Sequence, residues 1–283
     1  MCDLSIGERK KQVRHLLASR GIENPGGTAE ILLSAALGYS RAALLLHAGD
    51  LMPGEGEKRL APLLEKRLER IPLEYVLGEA HFYGRPFSVG PGCLIPRPET
   101  ELLVEEALAY LPERGRIIDW GTGSGCIAAT LALERPCASV LGVDASPLAL
   151  EWAWKNLRFH GLLGQVFLWH RKDPRDIPWK NGVDLVISNP PYIPTKKLPH
   201  LMKEVRFEPS PALDGGYDGL EAYRILIPWA EEVLTPGGIL AVEIGDTSQV
   251  APLRFMGEKN LVSLKVRKDY NGLERILLWR KSA

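Results

Sequence analysis

No stretch of the chain approaches the ~20 consecutive apolar residues that span a bilayer. The opening residues, Met1 to Arg14, are polar and charged, with no apolar core of a signal peptide. Neither a membrane protein nor a secreted one is expected. Cysteine is scarce: Cys2, Cys93, Cys126 and Cys137 are scattered, with no Cys-x-x-Cys pair. That argues against a zinc site or a disulfide framework and for reduced thiols in a cytoplasmic protein. A surplus of one charge is missing too. Lys plus Arg and Asp plus Glu both number 35, so the net charge is zero. A protein that lives by attraction to phosphate normally carries a basic surplus, so direct nucleic-acid binding is disfavoured. What remains is ordinary globular composition: 283 residues, 45% hydrophobic and 25% charged. That length suits one large domain or two unequal ones.

The pattern along the chain divides into three. Residues 1–72 read as short helices only, with apolar stripes such as Leu60, Leu63, Leu64 and Leu68. Thr28 and Ser40 are candidate helix caps, and Gly38 is a stop. This is a small helical bundle, suited to docking a substrate, without a chemical motif. Residues 73–98 alternate aromatic and β-branched residues with glycine, which reads as a hairpin linker. From residue 99 to 283, a first helix is followed by strand candidates Ile117–Trp120, Val140–Val143, Val166–Trp169, Val183–Ser188, Ile239–Ile244, Leu261–Val266 and Arg275–Trp279. Helical stretches separate most of them, which implies a mostly parallel, doubly wound α/β sheet. Only a short stretch around Asp269–Gly272 lies between the last two strands, too short for a crossover helix, so they are expected to pair as an antiparallel hairpin.

Two segments carry chemistry. The first is Asp119-Trp120-Gly121-Thr122-Gly123-Ser124-Gly125, between a strand and a helix. Its glycines allow a tight turn and let a ligand lie against bare backbone. Asp144 ends the next strand, where a carboxylate can accept both hydroxyls of a ribose. Alone, Asp144 reads equally well as a helix-capping residue before Ser146-Pro147; beside the glycine loop, ligand binding is favoured. The G-x-G-x-G spacing differs from the dinucleotide fingerprint. With an acid before it, it looks like the S-adenosylmethionine site of class I methyltransferases, with Asp119 near the methionine end.

The second segment is Asn189-Pro190-Pro191-Tyr192, directly after a strand. Asn189 and Pro190 each precede a proline and are pushed to extended conformations. Neither proline has an N–H to give, so their carbonyls remain acceptors. The result is a stiff rim carrying the Asn189 side-chain oxygen and the Pro190 carbonyl, with Tyr192 as a flat face. Two acceptors and an aromatic plane suit an NH₂ group. A delocalised amide nitrogen is a poor nucleophile. Holding both hydrogens orients it, and the acceptors stabilise the positive charge that develops on transfer. The rim would serve a glutamine amide or the exocyclic amine of adenine or guanine alike.

Five segments resemble the glutamine N5-methyltransferase family that modifies class I peptide chain release factors. They are Pro72–Gly78, Leu94–Glu101, the glycine loop, Asn189–Tyr192, and Glu208-Pro209 with Ala212–Leu220. The run Ile95-Pro96-Arg97-Pro98-Glu99-Thr100-Glu101 together with Asn-Pro-Pro-Tyr is the most specific part; the N-terminal helices match loosely. The resemblance implies a Rossmann-like class I methyltransferase sheet with a small N-terminal helical bundle. It implies S-adenosyl-L-methionine as donor and the glutamine of a release factor's Gly-Gly-Gln loop as acceptor. Gly121, Thr122, Gly123, Ser124, Gly125 and Asp144 would hold the cofactor. Asn189, Pro190, Pro191 and Tyr192 would hold the glutamine, with Asn189 touching both, and the catalytic roles would fall to Asn189, Pro190 and Tyr192. A monomer is expected, and no metal. The competing readings are an amino-group methyltransferase acting on adenine or guanine in nucleic acid, and a non-catalytic module that binds a partner.

Some residues stay open. After the third strand, the segment Trp169-His170-Arg171-Lys172-Asp173-Pro174 departs from the usual adenine-facing acid, leaving Arg171, Lys172 or Asp173 as the contact. Trp169 is read as a strand-end packing residue and His170 as a solvated imidazole. Arg97 and Glu99 line the pocket mouth or anchor the helix start. Asp214–Gly219 is a mobile-looking cover over the site or a plain connection. Trp152 and Trp154 share a helix and cannot both face inward.

Overall fold

The computed structural model describes residues 4–257 and 260–283, and Cys2 lies outside them. The chain divides into two compact units. The first comprises the residues up to Gly78 together with Lys203–Phe207; the second comprises Glu79–Met202 and Glu208–Ala283.

The first unit is helical. Helix α1 (Ile6–Ser19) opens with a capping box between Ser5 and Glu8. Helix α2 (Pro25–Leu37) is capped by Asn24 and stopped by the left-handed Gly38. Thr28, the cap expected from the sequence, lies inside this helix and is buried. Pro25 explains the earlier start: its fixed φ suits the first turn, where an N–H would lack a partner anyway. Ser40 caps α3 (Arg41–Leu46) as expected. Helices α4 (Gly54–Leu68) and α5 (Leu73–Leu77) complete the unit, and Gly78 closes α5 with a positive φ of 76°. Val13, Leu17, Leu32, Leu33, Leu60 and Val76 form the core. Val76 draws residues 73–78 into this unit, so the stretch expected to be a linker from residue 73 becomes a hairpin only at Glu79. Lys203–Phe207 joins it through Glu204, which accepts from Arg67 at 3.0 Å and Arg70 at 2.8 Å. Nothing in the local pattern announced that excursion.

The second unit begins with an antiparallel hairpin, β1 (Glu79–Phe82) and β2 (Arg85–Ser88). Its two turn residues, Tyr83 and Gly84, have φ of 52° and 71°, as a tight two-residue hairpin turn requires. Helix α6 (Pro98–Leu108) follows. Then strands and helices alternate: β3 (Arg116–Trp120), α7 (Cys126–Glu134), β4 (Ser139–Asp144), α8 (Pro147–Phe159), β5 (Val166–His170), β6 (Val183–Ser188), α9 (Glu221–Val233), β7 (Leu234–Glu243), α10 (Val250–Met256), β8 (Leu261–Lys268) and β9 (Glu274–Lys281).

Among the described residues, the seven strands of the main sheet run in the order β5-β4-β3-β6-β7-β9-β8. All pairings from β5 to β7 are parallel, and β9 pairs antiparallel with both β7 and β8. The expected terminal hairpin forms, with its second strand inserted beside β7. Burial explains that order. Ile276 to Trp279 of β9 are all buried, whereas β8 is largely uncovered as an edge strand is. Successive residues feed opposite layers. Ile117 and Leu185 pack toward α6, α7 and α8; Ile118 and Val186 pack toward α9 and α10. The chain leaves β3 toward β4 on one side and returns to β6 on the other. Ligands bind at such a switch point, outside the carboxyl ends of the strands. Among the described residues no helix is long and apolar enough to cross a membrane.

Candidate active site

The glycine loop leaves β3 at the switch point. Gly121, Gly123 and Gly125 have φ of +77°, +57° and +77°, which side-chain-bearing residues rarely adopt. An added Cβ at Gly121 would meet nothing within 4 Å, so the main chain there is uncovered. At Gly125 a Cβ would come within 3.2 Å of Ala153, so this glycine lets α7 start close against α8. The amides of Gly121 and Thr122 both donate to the Val143 carbonyl, at 2.8 and 3.0 Å. The side chains of Thr122 and Ser124 are buried, so the loop offers mainly backbone to a ligand.

Asp119 lies beneath this loop, fully buried. Its Oδ2 accepts from Thr122 Oγ1 at 2.6 Å and from the Ala128 amide at 3.2 Å. Its Oδ1 is buried and has no hydrogen-bond partner among the described residues. Burial pushes its pKa up to about 7 against those two hydrogen bonds, and the neighbouring Asp144 adds to the rise. Asp144, at the end of β4, accepts from the Gly123 amide through Oδ2 and from the Ser146 amide through Oδ1, both at 2.8 Å. The cap of α8 is Ser146. Asp144 instead ties the glycine loop to the neighbouring strand end. Each of its oxygens retains a second lone pair. Burial raises its pKa, opposed by the backbone amides of Ser146, Gly123 and Ala145.

Across the switch point, Asn189 follows β6. Its Nδ2 donates to Thr100 Oγ1 at 3.0 Å. Thr100 Oγ1 donates to Glu243 Oε2 at 2.6 Å, and the Tyr192 hydroxyl donates to Glu243 Oε1 at 3.3 Å. Glu243 ends β7 and is fully buried; burial lifts its pKa to about 7, while Thr100, the Arg275 charge and Tyr192 pull it down and Glu99 adds to the rise. The Tyr192 hydroxyl is held above its ordinary value by burial and by the Glu243 charge. The Tyr192 ring packs over Gly245, where a Cβ would lie 2.7 Å from Cδ2. Its carbonyl accepts from Gln249 Nε2 at 3.2 Å. The loop Asp214–Gly219, read from sequence as mobile-looking, is instead seated on this rim. Gly215 N donates to the Ile193 carbonyl at 2.9 Å and Thr195 N to the Gly216 carbonyl at 2.9 Å.

Two models of known families match: a PrmC N-terminal domain over residues 10–78 and a methyltransferase small domain over residues 98–206. A release factor glutamine methyltransferase from Geobacter sulfurreducens is 41% identical over 93% of this chain and 92% of its own length. One from Neisseria gonorrhoeae is 41% identical over 88% of this chain and 91% of its own length. The chain belongs to the release factor glutamine methyltransferase family. A crystal structure of a methyltransferase from Pyrococcus furiosus shares the fold, with a TM-score of 0.55, 18% identity, and coverage of 80% of this chain and 100% of that one.

For a methyltransferase of this family, the sequence-derived residues gather at one sheet edge: the glycine loop after β3, Asp144 at the end of β4, and Asn189 to Tyr192 after β6. The edge expected from the sequence to face an adenine is less simple. Asp173 is paired with Arg175, which holds its carboxyl at about 2. His170 Nε2 lies 3.1 Å from the Ala145 carbonyl, and Arg171 stacks over Trp169. Arg97 anchors its turn: it donates to Glu208 Oε1 at 2.5 Å, and the Ile95 amide donates to Glu208 Oε2 at 3.0 Å. Trp154 is exposed, whereas Trp152 packs on Gly90 and donates to the Pro91 carbonyl.

Sequence reasoning missed four supports. Thr100 and Glu243 hold Asn189 and Tyr192. Asn156 is buried and donates to the carbonyls of Ser88 and Ser124, tying α8 to the hairpin and to the glycine loop. Gln249 holds the backbone of Tyr192 and Gly219. One signal was readable for Glu243: an acid within the apolar run Ile239–Ile244 is a buried charge in want of a reason.

Proposed function

We propose that this chain transfers a methyl group from S-adenosylmethionine to the side-chain amide nitrogen, N5, of the glutamine in the Gly-Gly-Gln loop of class I peptide chain release factors. The observation that carries this reading is the orientation of Asn189. Its amide nitrogen is spent on Thr100, which leaves its oxygen to accept a hydrogen from a substrate NH₂. The Pro190 carbonyl supplies the second acceptor on the same stiff segment, Pro191 keeps the segment extended, and Tyr192 covers the amide plane. Held by both hydrogens, the glutamine nitrogen is oriented for attack, and the two acceptors stabilise the positive charge it gains.

The residues around the glycine loop fit the donor. Gly121 and Gly123 leave the main chain uncovered, and Asp119 keeps a buried oxygen that has no partner among the described residues, suited to a positively charged amino group. Asp144 has a lone pair left on each oxygen for paired hydroxyls. Gly121, Thr122, Gly123, Ser124, Gly125 and Asp144 would hold the donor, with Asn189 at the boundary. When bound, S-adenosylmethionine supplies an electrophilic methyl group. The helical unit, without chemical motifs, serves to dock the release factor. The protein acts in the cytoplasm, as a monomer, without direct contact to nucleic acid.

The test is mass spectrometry of the Gly-Gly-Gln peptide after intact release factor is incubated with the full-length protein and donor, with duplex DNA and transfer RNA as parallel acceptors. One methyl on the glutamine is expected. Methyl on a base, with none on the glutamine, would overturn the proposal.

A further inference from the structure

Glu243 is a fully buried acid at the end of β7, and an ionised carboxylate taken from water is strongly unfavourable unless it is paired. Glu243 receives its hydrogen bonds from Thr100 and Tyr192, and Thr100 in turn receives one from Asn189. We propose that Thr100 and Glu243 are positioning residues that fix which face of the Asn189 amide meets the substrate, and so select an amide NH₂ as the methyl acceptor. This inference rests on the glutamine reading given above.

An asparagine amide has nearly the same shape in its two flipped orientations; only its partners decide between oxygen and NH₂. A threonine hydroxyl has one proton. In its ionised form, which prevails at alkaline pH, the Glu243 carboxylate accepts only, so at 2.6 Å the Thr100 proton goes to Oε2. Thr100 Oγ1 must then receive from its other neighbour, and the group facing it is the Asn189 nitrogen. The Asn189 oxygen occupies the opposite branch of the amide. The wrong flip would set NH₂ against the substrate NH₂, donor against donor, and the clamp would fail. The Tyr192 hydroxyl spends its single proton on the other oxygen of the same acid. One carboxylate therefore sets both members of the rim.

The position of Thr100 gives the Ile95–Glu101 run a physical reason. Pro98 starts α6, and Thr100 falls in its first turn, buried. Its β-branched side chain has few rotamers there, so the hydroxyl is held on the line between Asn189 and Glu243. Arg97 and Ile95, both tied to Glu208, fix the approach to that turn.

The experiment compares single-turnover methylation of intact release factor by the full-length wild type, Thr100→Val and Thr100→Ser at pH 8.5, with S-adenosylhomocysteine affinity measured by titration calorimetry. Thr100→Val should lower the transfer rate about 10- to 100-fold while donor affinity stays within about threefold. Thr100→Ser, which keeps the hydroxyl, should restore most of the rate. If Thr100→Val gives no cooperative unfolding transition, the double variant Thr100→Val/Glu243→Gln removes the stranded charge and carries the same expectation. A Thr100→Val rate above about a third of wild type would overturn the proposal, against the fall expected from misplacement. So would a Thr100→Ser rate as low as that of Val, since the methyl packing would then be what matters. No transfer by the wild type would overturn the glutamine reading and the relay with it; equal transfer by wild type and Thr100→Val overturns the relay alone.

Discussion

Replacing Glu243 by Gln should stabilise the protein at alkaline pH and have little effect in mild acid. The folded state raises the Glu243 pKa from an ordinary 4.5 to about 7, chiefly by burial, with Thr100, the Arg275 charge and Tyr192 opposing and Glu99 adding to the rise. The hydroxyl of Tyr223, from α9, donates to the Glu243 backbone carbonyl at 2.6 Å. A group whose folded pKa is raised holds its proton in the native state while the unfolded chain releases it. Its contribution to stability is therefore fully present below about 4.5 and is lost as pH rises through about 7. The displacement is worth about 3 kcal/mol once pH exceeds both values, and about 2–3 kcal/mol between pH 5 and pH 8. Glutamine has the same shape and no proton to lose. Asp119, also raised to about 7, titrates in the same window but is common to both proteins and cancels in the difference. Urea unfolding of wild type and Glu243→Gln at pH 5 and pH 8 measures it. The advantage of the glutamine variant should grow by about 2–3 kcal/mol across that range. A difference that stays constant to within about 0.5 kcal/mol would mean that Glu243 does not carry the buried proton, and the reasoning would fail. The wild type tolerates this cost because the same charge holds Thr100 and Tyr192 in place.

Three further outcomes are expected. Asn189→Ala should lower the single-turnover rate ~10²–10³-fold with donor affinity nearly unchanged, and Asn189→Asp should also fail because a carboxylate has no hydrogen to give Thr100; an alanine variant keeping more than about a third of the rate would refute the clamp. Asp144→Ala should weaken S-adenosylhomocysteine binding by ~1.5–3 kcal/mol in titration calorimetry, through the lost acceptors and the released Gly123 amide, and an unchanged affinity would remove Asp144 from the donor site. Gly215→Ala places a Cβ 2.8 Å from the Pro191 carbonyl, Tyr192 Cα and Gly219 Cα, so it should cost about 1–3 kcal/mol in urea unfolding and slow transfer by shifting the rim; an alanine variant as stable and active as wild type would show the loop is not seated there.

The strands from β3 to β6 were legible because each is a short apolar run bounded by glycine, proline or charge. The glycine loop and Asn189-Pro190-Pro191-Tyr192 were legible for a related reason: positive φ and pre-proline stiffness are properties of neighbours in the chain. The start of α2 was misplaced because two residues could cap it, and Pro25 favoured Asn24 over Thr28. The loop Asp214–Gly219 looked mobile because glycine is locally permissive. Its order comes from backbone hydrogen bonds to Ile193 and Thr195, which no nearby residue announces. The placement of Lys203–Phe207 with the helical unit depends on Glu204 meeting Arg67 and Arg70, more than 130 residues away in the chain.

The amino-acid sequence alone determined where the chain turns, which runs become strands, and which segments leave backbone or amide groups unspent at strand ends. Those are consequences of local sterics and of an alternation that one strand or helix already expresses. The polarity of the site was decided only by the tertiary structure. Thr100, Asn189, Tyr192 and Glu243 come from α6, from the turn after β6 and from the end of β7. Only the order of strands in the sheet brings them within hydrogen-bond reach. Hydrogen bonds act over about 3 Å, and the chain between Thr100 and Glu243 is far longer than any local pattern can bridge. Thus the choice between an asparagine oxygen and an asparagine NH₂ at the rim belongs to the fold.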